Sequence, residues 1–267
     1  MPTFLLSVAP CAGTDVEVNY DCNNNTAMVS WSSARGAISY VVTAATDGHQ
    51  ASCATVVPQC ELVDLQCGQT YNISLTTISG QSQTEMHTNV TFSTRPCKII
   101  NVGVDLQCGT NTAYLSWEKR EEVAYYLATG SCSVGTTLQC NSTNSVCQFS
   151  SLLCGETYNF SVAAYSNKCF GEISSTVEIQ TEPCQPTNLT VDGLCDLGAV
   201  KLNWSVAQGA SVYVVTITGG LGYNTSFQTA ETAIDAELPC GQQFSFTVKA
   251  QDAKCDSAVS LPGIFRT

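Results

Sequence analysis

The sequence predicts an all-β protein: three tandem β-sandwiches, rich in disulfides. Three observations carry that expectation. They are a motif that returns at constant spacing, short runs alternating apolar and polar residues, and sixteen cysteines in 267 residues. The motif is Leu65-Gln66-Cys67-Gly68-Gln69-Thr70-Tyr71. It returns as Leu152-Leu153-Cys154-Gly155-Glu156-Thr157-Tyr158 and as Leu238-Pro239-Cys240-Gly241-Gln242-Gln243-Phe244. A glycine turn leading into an aromatic that opens a strand is the pattern of a tyrosine corner, whose ring packs inward while its hydroxyl ties down the incoming loop. Alternating runs follow each copy: Tyr71, Ile73, Leu75; Tyr158, Phe160, Val162, Ala164; Phe244, Phe246, Val248, Ala250. Helical periodicity is absent throughout.

The repeat length follows by subtraction. Trp31, Trp117 and Trp204 are 86 and 87 residues apart, as are Cys22, Cys108 and Cys195, and Tyr40, Tyr126 and Tyr213. Three copies of that length each suffice for a seven-stranded sandwich. The boundaries predicted are 1–10 for the last strand of a preceding repeat, then repeats at 11–96, 97–183 and 184–267. Each copy opens on Pro-Cys: Pro10-Cys11, Pro96-Cys97 and Pro183-Cys184. Linkers this short, stiffened by proline, limit bending between neighbours. The next strand turns Ala27, Val29 and Trp31 inward, matched by Ala113, Leu115, Trp117 and by Val200, Leu202, Trp204. Period two on one apolar face marks a half-exposed strand. Trp suits the centre of such a core because it buries so much area. Turns at Gly36-Ala37 and Gly209-Ala210 lead to the strands beginning at Tyr40 and Tyr213, with Tyr126 opening the equivalent strand.

Composition narrows the function. The net charge is −12, with only ten Lys plus Arg, which argues against nucleic acid, polyanions and anionic membranes as partners. No run of about 18 apolar residues offers a membrane span. Cysteine at this density implies an oxidising, extracellular compartment. Zinc is disfavoured because no C-x-x-C occurs and the only histidines are His49 and His87. Residues Met1 to Ser7 lack the basic start and long apolar stretch of a secretion signal, so a longer precursor is expected. No catalytic, metal or cofactor constellation is visible. Arg35-Gly36-Ala37 is read as a turn rather than an attachment signal, and Glu118-Lys119-Arg120-Glu121-Glu122 as a solvated loop.

The early Trp, the Tyr-led strand, the Leu-x-x-Gly-x-x-Tyr corner and the closing Thr before Pro together resemble the fibronectin type III module over nearly the whole chain. That resemblance implies immunoglobulin-like sandwiches without enzymatic activity, engaged in protein interaction or adhesion. A passive spacer, or an accessory array of a secreted enzyme, is the alternative. Two departures stand out. Cys67 and Cys154 replace a usual proline, and Phe244 replaces the corner tyrosine, which predicts a looser third corner.

In such a sandwich the second-strand cysteines and the corner cysteines lie at one pole. The expected pairs are therefore Cys22–Cys67, Cys108–Cys154 and Cys195–Cys240. Cys53 with Cys60, and Cys140 with Cys147, precede the corner by the same steps, and both are replaced together in the third copy by Ser226 and Ala233. Cys53–Cys60 and Cys140–Cys147 follow as pairs. The opposite pole suggests Cys97–Cys169 and Cys184–Cys255. Cys11 and Cys132 are left over, either as free thiols or bonded to a second chain or a further segment. Glycosylation sequons occur at Asn24, Asn72, Asn89, Asn141, Asn159, Asn188, Asn203 and Asn224. Asn72 and Asn159 each follow an inward Tyr, and Asn203 precedes an inward Trp, so alternation points all three outward, where a glycan fits.

Overall fold

A computed structural model describes residues 10–80, 82–166, 168–193 and 199–267. The expected last strand of a preceding repeat therefore falls largely outside the described residues. Among the described residues the regular secondary structure is strand, apart from a 3-10 turn at Gly220–Gly222.

In the first sandwich, β1 (Thr14–Asp21), β2 (Thr26–Ser32) and β5 (Gln59–Leu62) form a sheet in the order β1-β2-β5. β3 (Ser39–Thr46), β4 (His49–Thr55), β6 (Thr70–Ser79) and β7 (Ser82–Ser93) form the other in the order β4-β3-β6-β7. The third sandwich repeats this plan. β16 (Thr190–Asp192), β17 (Ala199–Asn203) and β20 (Ala233–Glu237) make one sheet. β18 (Val212–Gly219), β19 (Asn224–Thr229), β21 (Gln243–Gln251) and β22 (Gly263–Arg266) make the other. In the middle, β8 (Gly103–Gln107), β9 (Thr112–Ser116) and β12 (Val146–Phe149) form the smaller sheet. β10 (Tyr125–Cys132), β11 (Thr137–Ser142) and β13 (Thr157–Ser166) build the larger, with β14 (Cys169–Phe170) and β15 (Val177–Gln180) both pairing β13.

The chain divides into two compact units. One comprises Met1–Ile99, Lys119–Leu127 and Ala163–Ser174; the other comprises Ile100–Glu118, Ala128–Val162 and Ser175–Thr267. The first unit holds the core of Trp31, Tyr40, Val42, Tyr71, Ile73 and Leu75. The second holds the equivalent core of Trp204, Tyr213, Val215, Phe244, Phe246 and Val248. Every one of these lies on the inward phase of its strand, because side chains alternate faces and only one face of each sheet escapes water. Burying a side chain of this size contributes about 1.5–3 kcal/mol.

The tyrosine corners form as the sequence implies. The Tyr71 hydroxyl accepts a hydrogen bond from the Gln66 amide at 3.0 Å, and Tyr158 accepts one from Leu153 at 3.2 Å. The turn glycines Gly68, Gly155 and Gly241 have φ of 63°, 69° and 75°, a left-handed conformation that glycine adopts at no steric cost. A threonine latch reinforces each corner. Thr94 Oγ1 donates to the Gln66 carbonyl at 2.8 Å, Thr181 to Leu153 at 2.8 Å, and Thr267 to Pro239 at 2.7 Å. The third corner, with Phe244, thus keeps its latch, and Tyr223 packs edge-on against the Phe244 ring at 5.4 Å.

A second set of tyrosine ties went unread in the sequence. The hydroxyls of Tyr40, Tyr126 and Tyr213 accept hydrogen bonds from the amides of Ala34, Arg120 and Ala207 at 3.0, 2.8 and 2.9 Å. The available signal was their constant nine-residue spacing from the tryptophans. Converting Tyr213 to Phe should cost about 1–3 kcal/mol in chemical denaturation, because it strands the buried Ala207 amide.

Candidate interaction site

The cysteines are where sequence and structure part. Cys53–Cys60 and Cys140–Cys147 are bonded, with Cα atoms 6.2 and 6.1 Å apart. Each joins the edge strands of opposing sheets, β4 to β5 and β11 to β12. Four of the other expected pairings are not formed. Cys22 bonds Cys169, not Cys67, and Cys67 bonds Cys97. One repeat later, Cys108 bonds Cys255, not Cys154, and Cys154 bonds Cys184. The expected Cys97–Cys169 and Cys184–Cys255 pairs are excluded in the same stroke. Cys240 is disulfide-bonded, and the pairing expected for it, with Cys195, lies outside the described residues.

The physical reason is the stacking of consecutive repeats. Cys22 and Cys67 do share a pole, but that pole is covered by the next repeat. The next repeat brings its linker Cys97 to within 4.9 Å of Cys67 and its hairpin Cys169 to within 5.6 Å of Cys22, measured between Cα atoms. Both pairs fall in the range a disulfide requires. The same two distances recur one repeat later.

Polar contacts accompany each clamp. At the first, the Arg95 amide donates to the Tyr20 hydroxyl at 2.8 Å, and its guanidinium reaches Glu172 at 2.6 Å and the Cys22 carbonyl at 3.3 Å. Burial raises the Tyr20 pKa against the lowering influence of Arg95. At the second, the Gly109 amide donates to Glu182 at 2.7 Å, and Lys254 Nζ to Asp105 at 2.9 Å. The hydrogen bond from Lys254, aided by its charge, lowers the Asp105 pKa. The stability this pair adds is present above the ordinary carboxylate range and lost as pH falls through the lowered value. The buried Glu156 carboxylate accepts from Gln208 at 2.6 Å and Ser133 at 2.7 Å.

The two clamps differ in closeness of fit. In the second, Gly155 lies under the Gln208 backbone, and Gly209 crosses just above Gly155. In the first, Glu122 occupies the sequence position of Gly209, and a Cβ on Gly68 would meet only Cys97, at 3.4 Å or more. A cavity of about 200 Å³ remains, lined by Cys67, Cys97, Arg120, Glu121, Glu122 and Ser166 among others.

Cys11 is exposed and Cys132 half-buried, and neither carries a disulfide. Cys132 has a structural task. Burial raises the pKa of the Tyr158 hydroxyl, and the Cys132 side chain beside it adds to that rise. In the first sandwich His49 Nδ1 takes the same part, 2.8 Å from the Tyr71 hydroxyl. Alkylation with iodoacetamide should therefore modify Cys11 rapidly and Cys132 slowly, as followed by peptide mass mapping; equal rates would contradict this placement.

A second feature faces solvent in the middle repeat. Tyr125 and Tyr165 stack at 4.6 Å, and Phe170 meets them at 6.2 and 4.8 Å. Phe170 is 44% exposed. The matching positions are Ser39, Ile78 and Gln83 in the first repeat. In the third they are Val212, Gln251 and Asp256, where Gln251 and Lys249 both hydrogen-bond Asp256 at 2.6 Å. The aromatic cluster is therefore peculiar to one repeat and lies on outward strand positions, which core packing does not require.

The sequon asparagines lie at the surface. Asn72, Asn89, Asn141 and Asn224 are exposed, on strands or at their ends, and Asn159 is half-buried. Three side-chain amides are engaged: Asn24 donates to Asp21, Asn188 to Ser205, and Asn203 to Asp192. No grouping of metal-ligating residues occurs among the described residues. No helix among them is long and apolar enough to cross a membrane.

Residues 12–93 match the fibronectin type III domain. Over 240 residues, 90% of the chain, it is 28% identical to fibronectin type III domain-containing protein 7 of Mus musculus and 25% identical to its counterpart of Homo sapiens. The chain spans about a third of the length of these curated relatives, 32% in each case. Among solved structures, the FN1-FN3 domains of chicken CNTN1 overlap 97% of this chain and 99% of that one, at 14% identity and a TM-score of 0.38. A two-domain fibronectin type III segment of chicken tenascin overlaps 63% of this chain and 99% of that one, at 15% identity and a TM-score of 0.40.

Proposed function

We propose that this chain of tandem fibronectin type III sandwiches is a non-enzymatic, extracellular interaction protein. Its repeats run from 11 to 96, 97 to 183 and 184 to 267, and the middle one presents Tyr125, Tyr165 and Phe170 to a protein partner. The observation that carries this reading is the aromatic cluster itself. Aromatic rings are costly to leave in water and are enriched at the energetic centres of protein interfaces. Fibronectin type III repeats are commonly used for protein interaction or adhesion. The disulfides support an oxidising compartment.

Glycans belong to the same reading. Asn72, Asn89, Asn141 and Asn224 have room for them, and sugar on outward strand positions shields sheet edges from other chains. Glycopeptide mapping of the protein secreted from animal cells should find these four occupied more fully than Asn24, Asn188 and Asn203, whose amides are engaged.

The test of the main reading uses the secreted chain as bait in cell-surface proximity labelling. The double variant Tyr125→Ala, Phe170→Ala should lose at least about tenfold in capture of its partners, as expected for removal of a central aromatic anchor. Its melting transition should stay close to that of the parent. Capture unchanged by the substitutions would sink the reading and leave the passive spacer in its place.

A further inference from the structure

We propose that the cavity at the first clamp binds a small amino-acid zwitterion, with its carboxylate on Arg120 and its ammonium group on Glu121 and Glu122.

Arg120 is the starting point. Among the described residues, Arg95, Arg120 and Lys249 are the half-buried Lys and Arg, the rest being exposed. Arg95 has Glu172 at 2.6 Å, and Lys249 has Asp256 at 2.6 Å. Arg120 joins no salt bridge, although Glu121 and Glu122 follow it directly. Its Nε is buried with no hydrogen-bond partner. A buried, charged donor without an acceptor is costly, so the position favours a group that supplies one. Packing does not require the guanidinium. The equivalent residues are Ala34 and Ala207, held by Tyr40 and Tyr213 as Tyr126 holds the Arg120 amide at 2.8 Å. Alanine thus satisfies the fold here, and the tyrosine tie fixes the backbone from which Arg120 extends.

The space beside it is the second, independent observation. Arg120 lines the cavity of about 200 Å³ together with Gln69, Glu121, Glu122 and the Cys67–Cys97 disulfide. A water molecule takes up about 30 Å³, so a molecule of several heavy atoms fits. At the second clamp the equivalent side chains close on each other. Gln208, matching Glu121, donates to Glu156, matching Gln69, at 2.6 Å. At the first clamp acid and amide are exchanged, and Gln69 Oε1 instead accepts from Thr46 Oγ1 at 3.4 Å.

The charges select the ligand. A guanidinium offers paired N–H donors that match the two oxygens of a carboxylate. A carboxylate alone would add negative charge to a lining that holds two glutamates and one arginine. A ligand that also carries an ammonium group offsets this, because Glu121 and Glu122 accept its hydrogen bonds. An α-amino acid joins the two groups through a single carbon, as the consecutive positions of Arg120, Glu121 and Glu122 require. The volume favours a small side chain, and the disulfide gives that side chain an apolar wall.

The test titrates the purified chain, its disulfides intact, with glycine and with L-alanine. Calorimetry follows the heat, and NMR follows the Arg120 Nε–H resonance. Saturable binding of both amino acids is expected. Acetate and methylamine should bind at least about tenfold more weakly, since each forfeits one charge-assisted contact. Arg120→Gln should abolish amino-acid binding and leave the melting transition in place, because alanine serves at the equivalent positions. Glu121→Gln combined with Glu122→Gln should weaken glycine at least about tenfold and tighten acetate. Tyr125→Ala, Phe170→Ala should bind glycine normally, which separates this site from the partner-binding surface. A cavity that no amino acid saturates, and so holds a hydrated arginine only, would overturn the proposal. So would acetate binding as tightly as glycine, or undiminished binding by Arg120→Gln.

Discussion

Replacing Cys108 with serine and Cys255 with alanine lowers the free energy of unfolding by on the order of 5 kcal/mol in the chain-entropy model, measured by denaturant titration without reductant. The bond closes a loop of 147 residues, so its loss frees the unfolded chain far more than loss of a local bridge does. Removing Cys53 and Cys60, only seven residues apart, should cost about 2.5 kcal/mol on the same scale. The ordering is the sharper test. If the short bridge proves the costlier, the long one is not the clamp described above. The two clamps repeat the same sequence separation and the same Cα distances. The Cys22, Cys169 pair should therefore respond as the Cys108, Cys255 pair does.

Gly155→Ala should destabilise by about 3 kcal/mol, and Gly241→Ala by about 1 kcal/mol. Both sites demand left-handed backbone, at φ 69° and 75°, which costs a non-glycine residue about 1–2 kcal/mol. Gly155 alone adds a steric conflict. An added methyl would lie 2.5 Å from the Gln208 carbonyl oxygen and 2.6 Å from its carbon. Backbone cannot yield there as a flexible side chain would, and overpacking of this kind costs about a further 1–3 kcal/mol. Equal losses at the two positions, read from denaturation midpoints at constant slope, would show that the seat around Gly155 is looser than its geometry indicates.

Much of the fold was legible because its signals are local. Alternation along β2, β6 and their counterparts follows from the pleat, and the Leu-x-x-Gly-x-x-Tyr corner needs only seven consecutive residues to state its turn, its ring and its tie. The inward set Trp31, Tyr40 and Tyr71 is buried as its strand phase required. The cysteine ledger shows where such reasoning stops. Cys53 and Cys60 were paired correctly because they vary together and lie on neighbouring edge strands. Cys22, Cys67, Cys97 and Cys169 were divided between two poles of separate sandwiches, and each division was right. The error lay in treating the poles as isolated, when one repeat's pole is the next repeat's contact.

The remaining features depend on residues distant in sequence. Tyr125, Tyr165 and Phe170 are unremarkable apart, and become a surface because β10, β13 and β14 are neighbours. Cys132 read as an odd thiol until the Tyr158 hydroxyl was placed beside it.

Amino-acid order alone thus determined three sandwiches, their inward faces and their corners, since each rests on chemistry spanning a few consecutive residues. Tertiary structure decided which sulfurs join, which loop glycine is covered and which aromatic rings meet. Those outcomes turn on distances of a few ångströms between segments 30 to 147 residues apart, and only the packed backbone sets such distances.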